Sequence, residues 1–302
     1  MLPLVYHASY SQLALPPKHR FPIGKYRSLY HTLCRTGYAS ATDFLQPTPV
    51  SEQALCTIHH PDYVANFFRN QLPLATQRRI GLPWSQELVQ RTRYALGGTA
   101  LTAQLAWQQG IALHLTGGYH HAHADFGSGF CIFNDLIFAA RQLLDTTDTE
   151  RVLIIDCDVH QGDGSATLAQ LHPDIITCSL HCEKNFPARK SDSDCDIALP
   201  KGCNDTDYLE ALSQVVGYLI RLHQPDVILY DAGVDVHQDD ELGYLNLTTA
   251  GIYARDHWVL HTAKCANIPI AAVIGGGYSR DLQALTQRHL QLFLAANDVF
   301  GR

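Results

Sequence analysis

Apolar residues gather in five short runs, at positions 111–115, 152–155, 175–180, 227–230 and 270–274. Each is rich in Ile, Val and Leu and too short to be a buried helix, so each predicts a strand covered on both faces. Between them, 100–109, 136–144 and 208–223 place apolar side chains at the three-to-four-residue spacing of a helix with one buried face. Alternating strands and helices predict an α/β fold: three layers, α/β/α, around a central, mostly parallel sheet. No Pro- or Ser-rich linker, like-charge block, low-complexity tract or repeat breaks the pattern, so residues 1–302 read as one domain.

The segments after these runs are rich in Gly, Asp and His. The run at 111–115 leads into TGGYHHAHADFGSGFC and that at 152–155 into DCDVHQGDG; 227–230 leads into DAGVDVHQDD and 270–274 into GGGYS. Ligands of open α/β sheets bind beyond the carboxyl ends of the strands. Four chemically rich segments are therefore expected to meet at one rim.

Composition narrows the class. The 302 residues are 46% hydrophobic, enough for a large core. A net charge of −7 disfavours nonspecific binding to nucleic acid or to an anionic membrane. No apolar stretch approaches the ~20 residues that span a bilayer, and MLPLVYHASYSQLALPPKHR lacks the form of a signal peptide. A cytoplasmic location is expected. The nine cysteines include no CxxC pair and read as reduced packing residues, Cys178 and Cys182 beside His181 among them.

The most telling stretch is VLIIDCDVHQGDG at 152–164. Asp156, Asp158 and His160 alternate by two, so an extended backbone would point all three to one side. Two carboxylates and an imidazole converging at the end of a buried strand are costly unless paired, and a divalent metal would pair them. Gly162 and Gly164 allow a sharp turn around Asp163.

Taken together, Gly117-Gly118-Tyr119-His120-His121, Gly129-Phe130-Cys131, Asn134-Asp135, Asp156-Cys157-Asp158-Val159-His160, Gly162-Asp163-Gly164, Gly233-Val234-Asp235 and Gly275-Gly276-Gly277-Tyr278 resemble the histone deacetylase family over nearly the whole chain. Gly97-Gly98-Thr99, the phrase LGYLNLTTAGIYARD from Leu242 and the short length look most like its class IV branch and bacterial relatives. The resemblance implies the arginase/deacetylase fold and a metal-dependent amidohydrolase that removes an acyl group from an amine. Asp158, His160 and Asp235 match the metal ligands; zinc is expected, with Fe²⁺ or Mn²⁺ as alternatives. His121 is implied as general base toward a metal-activated water, with His120 as electrostatic partner. Asp163 and Asp156 are implied to orient these rings, and Tyr278 to stabilise the oxyanion.

Gly129, Phe130, Phe186 and Gly276 match substrate-tunnel positions, and Asp156, Asp158, His160, Ser179 and Leu180 a structural potassium site. Only one full ligand set is visible, which disfavours the two-manganese chemistry of related arginases. The implied substrate is an Nε-acyl-lysine protein or peptide, with acetylpolyamine or another small acylated amine as the alternative. A catalytically silent acyl-lysine reader is the reading from another class. His59-His60 reads as a surface pair, His123 as a loop residue, and Asp239, Asp240 and Glu241 as solvated loop charges. Glu87 is the one acid offered near a substrate-clamping rim, and Lys25 or Arg20 could be a basic residue at the tunnel floor.

Overall fold

The five apolar runs form the centre of one sheet. In the computed structural model, which describes residues 2–301, eight strands are present: β1 (Leu4–Val5), β2 (Phe44–Leu45), β3 (Ile111–His114), β4 (Val152–Asp156), β5 (Ile175–Cys182), β6 (Cys195–Leu199), β7 (Val227–Asp231) and β8 (Ile270–Val273). They pair in the order β2-β1-β3-β8-β7-β4-β5-β6, and every pair is parallel. Strands β3, β4, β5, β7 and β8 are buried at every residue, as helices on both faces require. The sheet is thus wholly parallel, within a three-layer α/β/α fold.

The helices are α1 (Lys25–Arg35), α2 (Glu52–Leu55), α3 (Pro61–Phe68), α4 (Leu74–Ile80), α5 (Gln86–Gln109), α6 (Asp135–Thr146), α7 (Asp163–Ala169), α8 (Asp205–His223), α9 (Thr249–Cys265) and α10 (Leu282–Phe300). Their starts are chemically marked. Ser85, Asn134, Asn204 and Thr248 each accept a backbone N–H of the first turn of α5, α6, α8 and α9. Helix α5 begins well before the expected 100–109 segment and runs through Gly97 and Gly98. A Cβ at Gly98 would lie 2.2 Å from His114 Nε2, so this glycine serves close packing of α5 on β3 and does not end the helix. No described helix is long and apolar enough to cross a membrane.

The register aligns the chemistry. Asp156 ends β4 opposite Asp231 of β7, and Asp231 pairs with Val273 of β8, which lies opposite His114 of β3. The segments following these strands therefore leave the sheet at one level, as expected. They bond to one another there: Cys157 N–H donates to Asp231 O, Ala232 N–H to Val273 O, Val234 N–H to Gly276 O, and Ile274 N–H to Thr116 O.

Candidate metal centre and active site

The chain after β4 does not stay extended. Asp158 N–H donates to Asp156 Oδ1 at 3.0 Å, and His160 N–H donates to Asp158 Oδ1 at 2.9 Å. These local bonds curl the backbone, so the expected alternation of three side chains on one side fails. Asp158 and His160 stay together, while Asp156 turns toward His120. With Asp235, from the segment after β7, they offer ligand atoms within 4.8 Å of one another, all buried. His160 Nδ1 lies 2.9 Å from Asp158 Oδ1 and 3.1 Å from Asp235 Oδ2. The outer carboxylate oxygens are fixed by backbone donors, Gly276 N–H to Asp158 Oδ2 and Val159 N–H to Asp235 Oδ1, each at 2.9 Å.

These residues fit a divalent ion. A Cβ at Gly276 would come within 2.2 Å of Asp235 Oδ2 and 2.3 Å of Asp158 Oδ2, so only glycine leaves the carboxylate oxygens their room. Burial, and next the charge of Asp158, push the Asp235 carboxyl up to about 6. Two crowded anions in a dry pocket call for a cation, and two carboxylates plus one imidazole suit zinc while leaving coordination positions open.

Behind this group lie the tandem histidines, on the loop from β3 to α6. Asp135 holds that loop, accepting Gly118 N–H at 3.1 Å and Tyr119 N–H at 2.7 Å. His120 Nδ1 is 2.7 Å from Asp156 Oδ2, and His121 Nδ1 is 2.6 Å from Asp163 Oδ1. Their environments differ. Burial works against a charged His120, but Asp156 and Asp158 outweigh it and hold the ring well above the usual imidazole range. Burial, then the neighbouring His120, lower His121 to about 4. The two rings are thus pushed in opposite directions, the separation of roles that acid–base chemistry uses. Asp231 joins His120 and Asp156 in a second group of ligand-type atoms within 4.8 Å, and its Oδ2 has no hydrogen-bond partner among the described residues. Asp231 belongs to no motif singled out in the sequence; its place at the end of β7, level with Asp156, is the available signal.

A cavity of about 590 Å³ opens onto His121, His160 and Tyr278 and is walled by Phe130 and Phe186. The Phe186 ring stands edge-on to His121 at 4.8 Å, and Phe130 lies 5.9 Å from Tyr278. Gly129 has φ +52°, and a Cβ there would meet His121 Cδ2 at 2.7 Å. The register of β4 on β5 sets Asp156 opposite Ser179, with Leu180 next along β5.

Several expectations are corrected. His59 is not on the surface: it is 3% exposed, its Nδ1 bonds His123 O, and its Nε2 accepts Asn134 N–H. His60 is exposed and caps α3. His123 is a loop residue, but its Nε2 lies 3.1 Å from Asp163 Oδ2, so Asp163 holds two imidazoles. Asp240 is not a solvated charge: it accepts N–H bonds from Tyr278, Leu242 and Gly243. Asp239 and Glu241 are exposed, as expected. Lys25, 1% exposed, donates to Gly275 O and lines a small recess behind Tyr278, whereas Arg20 is exposed. Glu87 sits exposed in the first turn of α5 and does not line the cavity. Arg91, buried and bonded to Tyr10 O and to the hydroxyls of Tyr26 and Tyr119, had no signal in the sequence.

Burial pushes the His59 imidazole down to about 4. A folded pKa below the unfolded value of 6.5 means that its neutral form stabilises the fold above pH 6.5, and that this contribution drains away as pH falls toward 4. The loss should reach about 3 kcal/mol. In urea unfolding between pH 7 and pH 4, the His59→Gln protein should be weaker at pH 7 but decline less steeply. A slope equal to wild type would show that His59 is not the titrating group.

The histone deacetylase domain model matches residues 19–293. An uncharacterized protein of Picosynechococcus sp. (strain ATCC 27264 / PCC 7002 / PR-6) is 46% identical over 298 residues, 99% of both chains. Histone deacetylase 2 of Arabidopsis thaliana is 28% identical, covering 92% of this chain and 74% of its own. The acetoin utilization protein AcuC of Staphylococcus aureus (strain MRSA252) is 29% identical, covering 91% and 76%. Among solved structures, the HDA15 HD domain superposes with a TM-score of 0.80 at 20% identity, over 98% of this chain and 89% of that one. An HDAC homolog complexed with SAHA superposes with a TM-score of 0.82 at 22% identity, over 97% and 84%. At these identities the two structures speak for the fold.

Proposed function

The chain belongs to the histone deacetylase domain family, and on that premise we propose that it is a zinc-dependent deacylase of Nε-acyl-lysine. Family membership makes it a hydrolase of the deacetylase type, acting on amide bonds. The lysine side chain, the ion and the residue roles are our reading. One observation carries it: Asp158, His160 and Asp235 form a single buried ligand group beside a cavity that also exposes His121 and Tyr278.

When bound, the ion polarises the acyl carbonyl and lowers the pKa of water at the site. The protein's own residues do the rest. Phe130 and Phe186 flank the apolar stem of the acylated side chain and exclude water from it. Neutral His121, its Nδ1 side held by Asp163, takes the proton of the attacking water and returns it to the departing amine. His120, locked to Asp156, whose carboxylate favours the ring's charged form, serves as electrostatic partner to the developing anion. Tyr278 donates its hydroxyl to the oxyanion. The backbone from Asp156 to His160, beside Ser179 and Leu180, is where a structural potassium would sit.

The test uses zinc-loaded protein beside an Asp158→Ala/Asp235→Ala control. Both are incubated with peptides carrying acetyl-, octanoyl- and myristoyl-lysine and with acetylpolyamines, and products are read by mass spectrometry. Release by the loaded protein alone is expected, as is a zinc-dependent rise in its melting temperature that the control lacks. Tight binding of acyl-peptide with no product, in protein of confirmed metal content, would replace the deacylase with a silent reader.

A further inference from the structure

We propose that the substrate is an acyl-lysine set in an acidic segment, read by a cationic ring around the tunnel mouth. The inference rests on the deacylase reading and deepens it. The exposed lining of the active-site cavity includes Arg78, Arg79 and Lys184, and no Asp or Glu lines the cavity among the described residues. This concentration of positive charge occurs in a protein of net charge −7.

The cations bracket the opening from two sides. Arg78 and Arg79 occupy the last turn of α4, behind Phe130; Lys184 follows β5, two residues before Phe186. The last turn of a helix favours basic residues for its own sake, but that does not require the turn to face a cavity. Here it is fastened to the tunnel wall, since Gly129 N–H donates to Arg79 O at 3.2 Å and Phe130 N–H to Ile80 O at 2.8 Å. The Arg79 guanidinium also lies 4.6 Å from the centre of the Phe126 ring, which holds it at the rim. Neither arginine has a carboxylate within ion-pair distance among the described residues, so their charge is not already spent inside the protein. Lys184 meets only its neighbour Glu183, at 3.4 Å and with both side chains exposed, a contact that leaves most of its field available.

An acylated lysine is neutral, so the tunnel does not select by charge and the mouth can. Carboxylates on either side of the acylated residue would face Arg78 and Arg79 on one wall and Lys184 on the other. Arginine or lysine in the same places, or the free amines of an acetylpolyamine, would be repelled. Complementary rim charge acts mainly on encounter rate and discrimination, so the effect belongs in kcat/KM and weakens with salt.

The experiment compares three acyl-lysine peptides of one length, with Glu, Gln or Arg at the four flanking positions. The order Glu over Gln over Arg is expected in kcat/KM at low salt, spanning about tenfold and compressed at high salt. The order should invert in the Arg78→Glu/Arg79→Glu protein. Both side chains are exposed, and an unchanged melting temperature establishes that the variant folds. Equal rates for the three peptides, an order that survives the double reversal, or faster turnover of acetylpolyamines than of the Glu peptide would overturn the inference. Should no peptide be hydrolysed, the deacylase reading fails by itself. Fluorescence anisotropy of the same labelled peptides on the metal-loaded protein then decides the mouth, and equal or Arg-favouring affinities would reject it.

Discussion

The Tyr278→Phe protein should retain its metal and lose about 10²- to 10³-fold in kcat. Only the hydroxyl is removed, and that hydroxyl makes no hydrogen bond within the protein among the described residues, so it is free for a substrate oxygen. The ring is delivered by backbone turns that glycine alone adopts without strain. Gly275 and Gly277 have φ +58° and +150°, and a Cβ on Gly275 would lie 2.0 Å from Asp231 Oδ1. Beyond them Tyr278 N–H donates to Asp240 Oδ2 at 2.7 Å, which fixes where the side chain starts. Burial, followed by the charges of Asp158 and Asp235, keeps the phenol well above its usual pKa, so it is a donor throughout the working range. The measurement pairs kcat with zinc affinity by chelator competition. Turnover close to wild type, or a loss explained by weaker metal binding, would remove Tyr278 from the oxyanion role.

Asp240 shows where the sequence stops being informative. Flanked by Asp239 and Glu241, it reads as one of three loop charges, and nothing local says that its oxygens will be consumed by three backbone N–H groups. His59 fails for the same reason, since its burial depends on His123 and Asn134, far along the chain. The acid and imidazole side chains that the structure gathers at Asp158, His160, Asp235 and the tandem histidines are legible because each sits in a short motif after a buried strand. The central strands were legible because burial on both faces leaves an unbroken apolar run. Strand β6 was not: as an edge strand its exposure alternates and it carries Asp196 between Cys195 and Ile197. Strands β1 and β2, two residues each, are too short to leave a pattern. The early start of α5 was hidden by Gly97 and Gly98, which cost helix propensity but let α5 approach Thr48 and His114.

The same dependence on distant partners makes Arg255 the strongest expected determinant of the site outside the cavity. It lies in α9 with no exposed surface. Its guanidinium donates to Cys157 O at 3.2 Å, Ala232 O at 3.1 Å and Gly233 O at 2.6 Å, and its Nε to Asp256 Oδ1 at 2.9 Å. Cys157 precedes Asp158, and Ala232 and Gly233 lead to Asp235, so one side chain ties together the two loops that bring the carboxylates proposed to hold the metal. Asp256 also accepts the Tyr230 hydroxyl at 2.6 Å, which anchors the pair to β7. Arg255→Ala would strand a buried carboxylate and three carbonyls. The expected cost is about 3–5 kcal/mol of stability in urea unfolding, with weaker zinc binding in whatever remains folded. Arg255→Lys keeps the charge but not the planar fork, so it should recover part of the stability and less of the zinc affinity. Both outcomes follow from a cation that positions ligands through backbone carbonyls. A loss of stability in Arg255→Ala with undiminished zinc affinity would instead make the pair a core support with no hold on the metal loops.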